Sequence, residues 1–347
     1  MSLPGSGRAR LVDVARLAGV SPKTVSNVVN GTANVSEGLR TRVEDAIARL
    51  QYVPNTSGRT LRTGRTRVLA LAVPDLSIPY FAELTREVAA AAEEYGYTIL
   101  VDQTDGDLDR ERQVAGGLRP QAMDGLIFSP LGMTTGEIAI AAGSTPMVLL
   151  GERDHPAGAD HVVVDNVAAG QAATEHLLAQ GRRRVALVGA PRDRRSGTGM
   201  LRVQGYRRAL EAARLPVREE LVVTTHRYVP EHGIAALEQL AALPEPPDAV
   251  FCCSDLLAIG LMHAARRHGL RVPEDLAVVG FDDIRDGRYS SPTLTTIAPD
   301  KSAIARSAVD LLVRRLRGEA GSDGVEVVVS HRLVVRESSG GAPPGRA

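Results

Sequence analysis

Several polar and aromatic residues of this sequence follow short apolar runs, where their side chains are suited to binding a small polar ligand. The carboxylate of Asp282, after the run LAVVGF, can accept two hydroxyl hydrogen bonds at once, which suits a polyol. The guanidinium of Arg202 offers a fixed fork of donors. The rings of Tyr80 and Tyr228 have faces that could stack on a sugar or a base. The candidate ligand-binding residues are Tyr80, Phe81, Arg202, Tyr228, Ser254 and Asp282.

These residues also have structural interpretations that the sequence leaves open. The aromatic side chains near helix starts could serve only as hydrophobic packing. Ser254 precedes a predicted helix, so its hydroxyl could simply cap that helix.

Catalytic residue patterns are absent from the sequence. Asp282 and Asp283 are neighbours, so their side chains should diverge at the end of a strand. The eight histidines show no metal-binding spacing, and neither a Gly-x-Ser-x-Gly elbow nor a nucleotide-binding glycine loop occurs. The adjacent Cys252 and Cys253 could be redox-active, although cysteine is usually a small buried hydrophobe. We therefore predict no enzymatic activity, no cofactor and no metal site.

A second group of polar residues, close to the N-terminus, is suited to reading DNA. Its members are short, polar or basic, and none is acidic. Lys23 can donate to guanine, and Asn27 can pair with adenine in the major groove. The members of this group are Pro22, Lys23, Thr24, Ser26, Asn27 and Asn30.

The elements that carry this second group have the pattern of a helix-turn-helix. A first helix, with Val12, Val14, Ala15, Leu17 and Ala18 on its expected buried side, ends at Gly19, which permits a tight turn. Ser21 and Pro22 are suited to begin a second helix. A third helix from Ser36 places Leu39, Val43, Ala46, Ile47 and Leu50 on one face. The alternative is a structural helical hairpin with a solvated polar face.

From residue 68 onward, short Val/Leu/Ile-rich runs alternate with amphipathic helices. This alternation predicts parallel sheets that are covered by helices on both faces. Nine or more strands over about 270 residues favour two doubly wound subdomains over a single sheet. A TIM barrel competes, but the long helix at 300–317 and the strand pair VEVVVSHRLVVR fit it poorly. The runs begin at residues 68, 98, 125, 147, 161, 185, 221, 249 and 276.

Charge divides the chain into two parts that cancel. The 347 residues contain 41 Lys+Arg and 41 Asp+Glu, but residues 1–67 alone carry a net charge of +7, which leaves −7 for the remainder. The basic part is expected to attract phosphate, and the acidic part to be repelled by DNA. No apolar stretch is long enough for a membrane span, and the first residues lack the apolar core of a secretory signal, so we expect a cytoplasmic protein.

The run VDVARLAGVSPKTVSNVVN, followed by a helix ending in QYVPN, resembles the LacI/GalR repressors. The resemblance covers nearly the whole chain and continues through DNVAAGQAATEHLLAQGRRRVALVG, GFDDI and SPTLTTI. It implies a hinge helix after QYVPN that orders on DNA, with Asn55 as a DNA contact and Leu61 as the residue that wedges into the minor groove. It also implies that the six candidate ligand-binding residues line an effector cleft.

The resemblance implies discontinuous core subdomains, with the chain crossing between them near 165–168, 298–300 and 323–325. The predicted divisions are a helix-turn-helix domain (8–53), a hinge helix and linker (54–67), one subdomain (68–167 with 300–323), a second subdomain (168–298 with 325–337), and disordered tails (1–7 and 338–347).

The function predicted from these features is that of a sequence-specific DNA-binding transcription regulator, and we expect it to be a repressor. It would bind a pseudo-palindromic operator as a homodimer, under the control of a small effector, expected to be a carbohydrate, in the cleft. A sugar-binding protein without regulatory role, or a sugar-metabolising enzyme, is the alternative.

Overall fold

The computed structural model describes residues 9–30, 35–52, 65–116, 123–151, 158–191, 197–321 and 323–340. The chain divides into two compact units, Met1–Thr66 and Arg67–Ala347. The predicted residues Asn55 and Leu61 lie outside the described residues, as does the side chain of Asn30.

The described residues of the first unit form three helices around a small apolar core. They are α1 (Leu11–Ala18), α2 (Pro22–Asn30) and α3 (Glu37–Leu50). The core contains the buried residues Val14, Val25 and Val43, one from each helix. The expectation that Val12 and Leu17 are buried is wrong, because each is 48% exposed. Helical geometry places Val14, Ala15 and Ala18 on the inner side of α1 and turns the other two apolar residues outward.

The second unit begins with a six-stranded parallel sheet, in the order β11-β5-β4-β3-β1-β2. Two helices cover each face, with α4 and α11 on one and α5 and α6 on the other. We call this sheet with its four helices the first subdomain. Its elements are β1 (Val68–Val73), α4 (Pro79–Glu94), β2 (Thr98–Gln103), α5 (Leu108–Ala115), β3 (Gly125–Phe128), α6 (Thr135–Ala142), β4 (Met147–Leu150), β5 (Asp160–Val164), α11 (Lys301–Arg317) and β11 (Glu326–Val329).

A second six-stranded sheet has the order β12-β10-β9-β8-β6-β7, with only β12 antiparallel. Helices α7 and α8 cover one face, and α9 and α10 cover the other. This is the second subdomain. Its elements are α7 (Asn166–Ala179), β6 (Val185–Pro191), α8 (Thr198–Ala212), β7 (Val222–Thr225), α9 (Pro230–Ala241), β8 (Ala249–Cys252), α10 (Asp255–Arg267), β9 (Ala277–Phe281), β10 (Thr295–Pro299) and β12 (His331–Val334).

These two open sheets confirm the predicted fold class and exclude a TIM barrel. The strand β10, with the sequence TTIAP, is not among the predicted strands, although it overlaps the run SPTLTTI. The predicted crossing at 323–325 is wrong, because β11 pairs with β5 of the first sheet and β12 pairs with β10 of the second. The chain therefore changes sheets at Ser330, between two strands that look like a hairpin in the sequence. The remaining domain limits stay predictions.

Helix contacts in the second subdomain are close enough to require glycine. A Cβ at Gly205 of α8 would lie 2.1 Å from the carbonyl oxygen of Val167 in α7, and one at Gly170 would lie 2.5 Å from that of Arg202. The two helices therefore pack backbone to backbone, which fixes Arg202 relative to the sheet. Among the helices of the described residues, none is both long and apolar enough to cross a membrane.

Candidate functional site

The structure brings all six predicted ligand-binding residues into the wall of one cavity. The cavity has a volume of about 780 Å³ and lies within the second unit, beyond the carboxyl ends of strands from both sheets. This is where open parallel sheets bind ligands. Tyr80 and Phe81 come from the first subdomain, and Arg202, Tyr228, Ser254 and Asp282 come from the second.

Arg202 is the most firmly held of these side chains. It is 7% exposed, and its Nε donates to Asn166 Oδ1 at 2.7 Å while Nη1 donates to the carbonyl oxygen of Cys253. Its guanidinium lies 3.4 Å from the centroid of the Phe281 ring, in a cation–π contact. Two acceptors and a ring thus fix the plane of the guanidinium, so that its donors have a set direction in the cavity wall.

The two neighbouring aspartates lie in different surroundings, which agrees with the predicted divergence of their side chains. Asp282 lines the cavity at the end of β9, with φ at +112°. Its backbone N–H donates to the carbonyl oxygen of Ile297 at 2.8 Å. The carboxylate of Asp283 is buried and accepts hydrogen bonds from Arg288 and Arg336. Of these two aspartates, only Asp282 lines the cavity.

Ser254 combines both of its predicted roles. Its Oγ accepts the backbone N–H of Leu256 at 3.2 Å and so caps α10, while the residue also lines the cavity. The next residue, Asp255, was not predicted. It is fully buried, and its carboxyl accepts the Thr296 hydroxyl at 2.6 Å and the Ile284 N–H at 2.9 Å. Desolvation raises the pKa of Asp255 well above its usual value, and nearby Asp282 raises this pKa further.

The aromatic residues supply apolar faces next to these polar groups. The rings of Tyr80 and Phe81 meet edge to face, with centroids 5.3 Å apart. The Tyr228 hydroxyl donates to the carbonyl oxygen of Gly189 at 3.0 Å, and burial raises its pKa. Phe281, whose ring lies under Arg202, is a further wall residue. A few convergent polar groups among apolar faces is the usual design of a small-molecule site.

Further cavity residues escaped the sequence-based prediction. Asn166 lies two residues after the end of β5, so the rule that identified the other residues could have found it. Asp75 and Arg227 also line the cavity and form a 2.9 Å ion pair between the two subdomains. The pKa of Asp75 is lowered, chiefly by its hydrogen bond from the Ser77 hydroxyl. This pairing depends on loops 152 residues apart and left no signal in the sequence.

The two cysteines lie on opposite faces of the second sheet. Cys252 packs in the apolar cluster with α9 and α10, and Cys253 in the cluster with α7 and α8. Both are fully buried. Burial raises the pKa of Cys253 to about 12 and that of Cys252 well above its usual value. The thiols therefore stay protonated and behave as core residues. The described residues contain no cluster of acidic, histidine or cysteine side chains that could hold a metal ion.

The predicted DNA-reading residues lie on α2. Ser21 begins the helix as predicted, since its Oγ accepts the Thr24 N–H at 3.1 Å. Pro22 and Lys23 are exposed, while Ser26 and Asn27 are partly exposed along the same helix. The apolar side of α2, with Val25 and Val28 buried, faces α1 and α3. The polar side of α2 is therefore turned away from the core of the first unit.

Comparisons with known proteins find relatives of both the N-terminal helical unit and the unit that contains the two sheets. The family described as bacterial regulatory proteins, lacI family, matches residues 10–55, and a periplasmic binding protein-like domain matches residues 174–339. The HTH-type transcriptional repressor PurR of Proteus mirabilis is 33% identical over 96% of this chain and 98% of its own length.

Two solved structures extend the similarity to three dimensions. A complex of the transcriptional regulator CelR with cellobiose is 34% identical over 96% of this chain and 100% of its own, with a TM-score of 0.72. The lac repressor dimer bound to operator and the anti-inducer ONPF is 26% identical over 96% of this chain and 99% of its own, with a TM-score of 0.83.

Proposed function

The chain belongs to the LacI family of bacterial regulatory proteins, and we propose that it represses transcription under the control of a small carbohydrate bound in its cavity. The family consists of DNA-binding regulators and not of enzymes. The observation that carries the effector proposal is the convergence of six predicted residues from two subdomains on one 780 Å³ cavity. Its carboxylate, guanidinium and aromatic faces match the hydroxyls and C–H faces of a sugar.

A relative of this chain binds a sugar, which supports the same class of ligand. The CelR complex holds cellobiose, and the matching chain spans 96% of this one. In our proposal, the carboxylate of Asp282 and the donors of Arg202 bind sugar hydroxyls, while Tyr80, Phe81 and Tyr228 provide apolar contacts. Ser254 adds a hydroxyl at the N-terminus of α10.

For DNA, we propose that the polar side of α2 enters the major groove, with Lys23 and Asn27 contacting base edges. Pro22, Thr24, Ser26 and Asn30 would complete this contact. Asn55 and Leu61 remain proposed minor-groove residues on the basis of the family resemblance. We also propose that the protein acts in the cytoplasm, where its operator lies.

A homodimer would place two such helices on the two halves of a pseudo-palindromic operator. The edge strand β2 supports this proposal, because its apolar residues Leu100 and Val101 are 37% and 36% exposed. Apolar edge strands favour pairing with another chain. Analytical ultracentrifugation of Leu100→Lys should show a shift toward monomer, and an unchanged dimer would remove β2 from the interface.

A thermal-shift screen tests the effector proposal directly. A ligand that binds the folded state raises the unfolding midpoint by mass action. Mono- and oligosaccharides should include stabilising compounds, whereas the same compounds should leave Asp282→Ala unaffected. Nucleobases belong in the same screen, because the tyrosine faces could also stack on a base. Stabilisation by bases alone would overturn the carbohydrate proposal.

A further inference from the structure

An ion pair between two helices of the first subdomain lies at the edge of the cavity. Lys301, at the start of α11, places its Nζ 2.6 Å from Oε2 of Glu83 on α4. The side chains are 12% and 27% exposed, respectively. Both helices pack on the same face of the first sheet, so the pair belongs wholly to the first subdomain.

Each member of this pair also binds one backbone group of the second subdomain. Lys301 Nζ donates to the carbonyl oxygen of Asp283 at 3.1 Å, and Glu83 Oε1 accepts the N–H of Arg285 at 2.8 Å. Asp283 and Arg285 lie in the turn that follows β9. The cation therefore meets a backbone acceptor, and the anion meets a backbone donor two residues further along the chain.

This turn is continuous with the cavity wall. It directly follows Asp282, which has a φ of +112°. On the opposite side, the Lys301 ammonium lies 5.8 Å from the ring centroid of Tyr80. Lys301 thus contacts a wall residue of one subdomain and the chain next to a wall residue of the other.

The choice of lysine fits these contacts. The chain contains only two lysines among its 41 basic residues. An ammonium group has three donors that point in different directions, and here a carboxylate, a carbonyl and an aromatic face surround it. The guanidinium of arginine holds its donors in one plane and could not reproduce all three contacts.

We propose that Glu83 and Lys301 form a clamp that holds the turn 283–285 and keeps the two subdomains closed over the cavity. When the subdomains separate, the two backbone hydrogen bonds break while the ion pair itself remains intact. The clamp therefore sets the relative position of Tyr80 and Asp282 and opposes opening of the cavity. Because the clamp acts in the ligand-free protein, its test does not depend on whether the effector is a carbohydrate.

Hydrogen exchange at the Arg285 amide measures the clamp in the ligand-free, full-length protein. Arg285 is exposed, and the acceptor of its N–H is Glu83 of the other subdomain, so its protection depends on closure. Glu83→Leu and Lys301→Met each remove one polar group. We expect both to accelerate exchange at Arg285 about tenfold or more, as expected for losing a hydrogen bond to a charged group.

A charge-swapped chain, Glu83→Lys with Lys301→Glu, separates the clamp from a merely stabilising ion pair. The swap restores an ion pair between α4 and α11 but presents a donor to the Arg285 N–H and an acceptor to the Asp283 carbonyl. We expect the thermal midpoint to recover toward that of the wild type while exchange at Arg285 stays fast. Recovery of slow exchange in the swapped chain would overturn the proposal.

Glu137→Gln provides the matched control. It removes the charge from an ion pair of the same subdomain, Arg112–Glu137, that does not touch the turn. Exchange at Arg285 should equal that of the wild type in this variant. If the charge-swapped chain does not fold, Lys301→Met alone tests the proposal. An exchange rate at Arg285 equal to that of the wild type in Lys301→Met would refute the clamp.

Discussion

Replacing Arg202 by methionine tests whether its guanidinium is the anchor of the cavity wall. Methionine keeps an unbranched stem as far as the position of Nε but removes both charged hydrogen bonds and the cation–π contact with Phe281. The two acceptors left behind are Asn166 Oδ1 and the carbonyl oxygen of Cys253, in residues that are 2% and 0% exposed. Both would lose this hydrogen-bond partner.

The magnitude follows from opposing contributions. A hydrogen bond from a charged donor contributes about 1.5–3 kcal/mol to stability, and a cation–π contact about 2 kcal/mol where it is desolvated. Removal of the guanidinium also removes the unfavourable free energy of burying its charge, which offsets a large part of this loss. We expect Arg202→Met to lower the free energy of unfolding by about 2–4 kcal/mol, since two buried acceptors lose their charged donor.

Urea unfolding followed by far-UV circular dichroism measures this change. Arg207→Met on the same helix is the control, because Arg207 is 41% exposed and pairs with the exposed Glu219. Such a pair contributes about 0.2–1 kcal/mol. If the two variants lose equal stability, Arg202 is not anchored as described. Any stabilising ligand found for the wild type should also fail to bind Arg202→Met.

Three further predictions concern packing, protonation and DNA contact. Gly205→Ala should lower the thermal midpoint and reduce the free energy of unfolding by about 1–3 kcal/mol, because its Cβ would lie 2.1 Å from the Val167 carbonyl oxygen. The control is Gly38→Ala, whose Cβ would have nothing within 4 Å and which should stabilise the protein by about 0.5–1 kcal/mol. Equal effects of the two substitutions would contradict the close helix contact. The pKa of Asp255 is raised by desolvation in the folded state, so wild-type stability should fall as pH rises above the ordinary aspartate pKa of about 3.9, by up to about 1.4 kcal/mol per pH unit until the folded-state pKa is passed. Asp255→Asn lacks this titrating group, and a stability difference from the wild type that does not change with pH would contradict the raised pKa. Lys23→Ala should weaken operator binding by about 1–3 kcal/mol and relax specificity at one base pair, as measured by fluorescence anisotropy on operator variants; an equal loss on every sequence would assign Lys23 to phosphate.

The fold was largely predictable because parallel strands buried on both faces are nearly continuous apolar runs. The strand β10 escaped prediction because its threonines, Thr295 and Thr296, are polar although fully buried. Their hydroxyls bond to Arg336 O and Asp255 Oδ1, partners that are distant in sequence. The crossing at Ser330 was not predicted for a related reason. Which sheet each of two consecutive strands joins depends on tertiary pairing and not on their own sequences.

The cavity residues were predictable because the carboxyl ends of parallel strands meet at one edge of a sheet. That rule finds residues such as Ser254 and Asp282 one at a time. It does not find contacts between the subdomains, such as Asp75 with Arg227, because these depend on how two separately folded sheets face each other.

The most direct test of the account is operator affinity measured with and without a stabilising ligand from the thermal-shift screen. An operator selected from random duplexes and an unselected duplex should be compared over a salt series by fluorescence anisotropy. We expect affinity for both duplexes to fall steeply with salt, and the ligand to change operator affinity about 5–150-fold. Absence of DNA binding at low salt, or an operator affinity that the bound ligand leaves unchanged, would contradict effector-controlled repression.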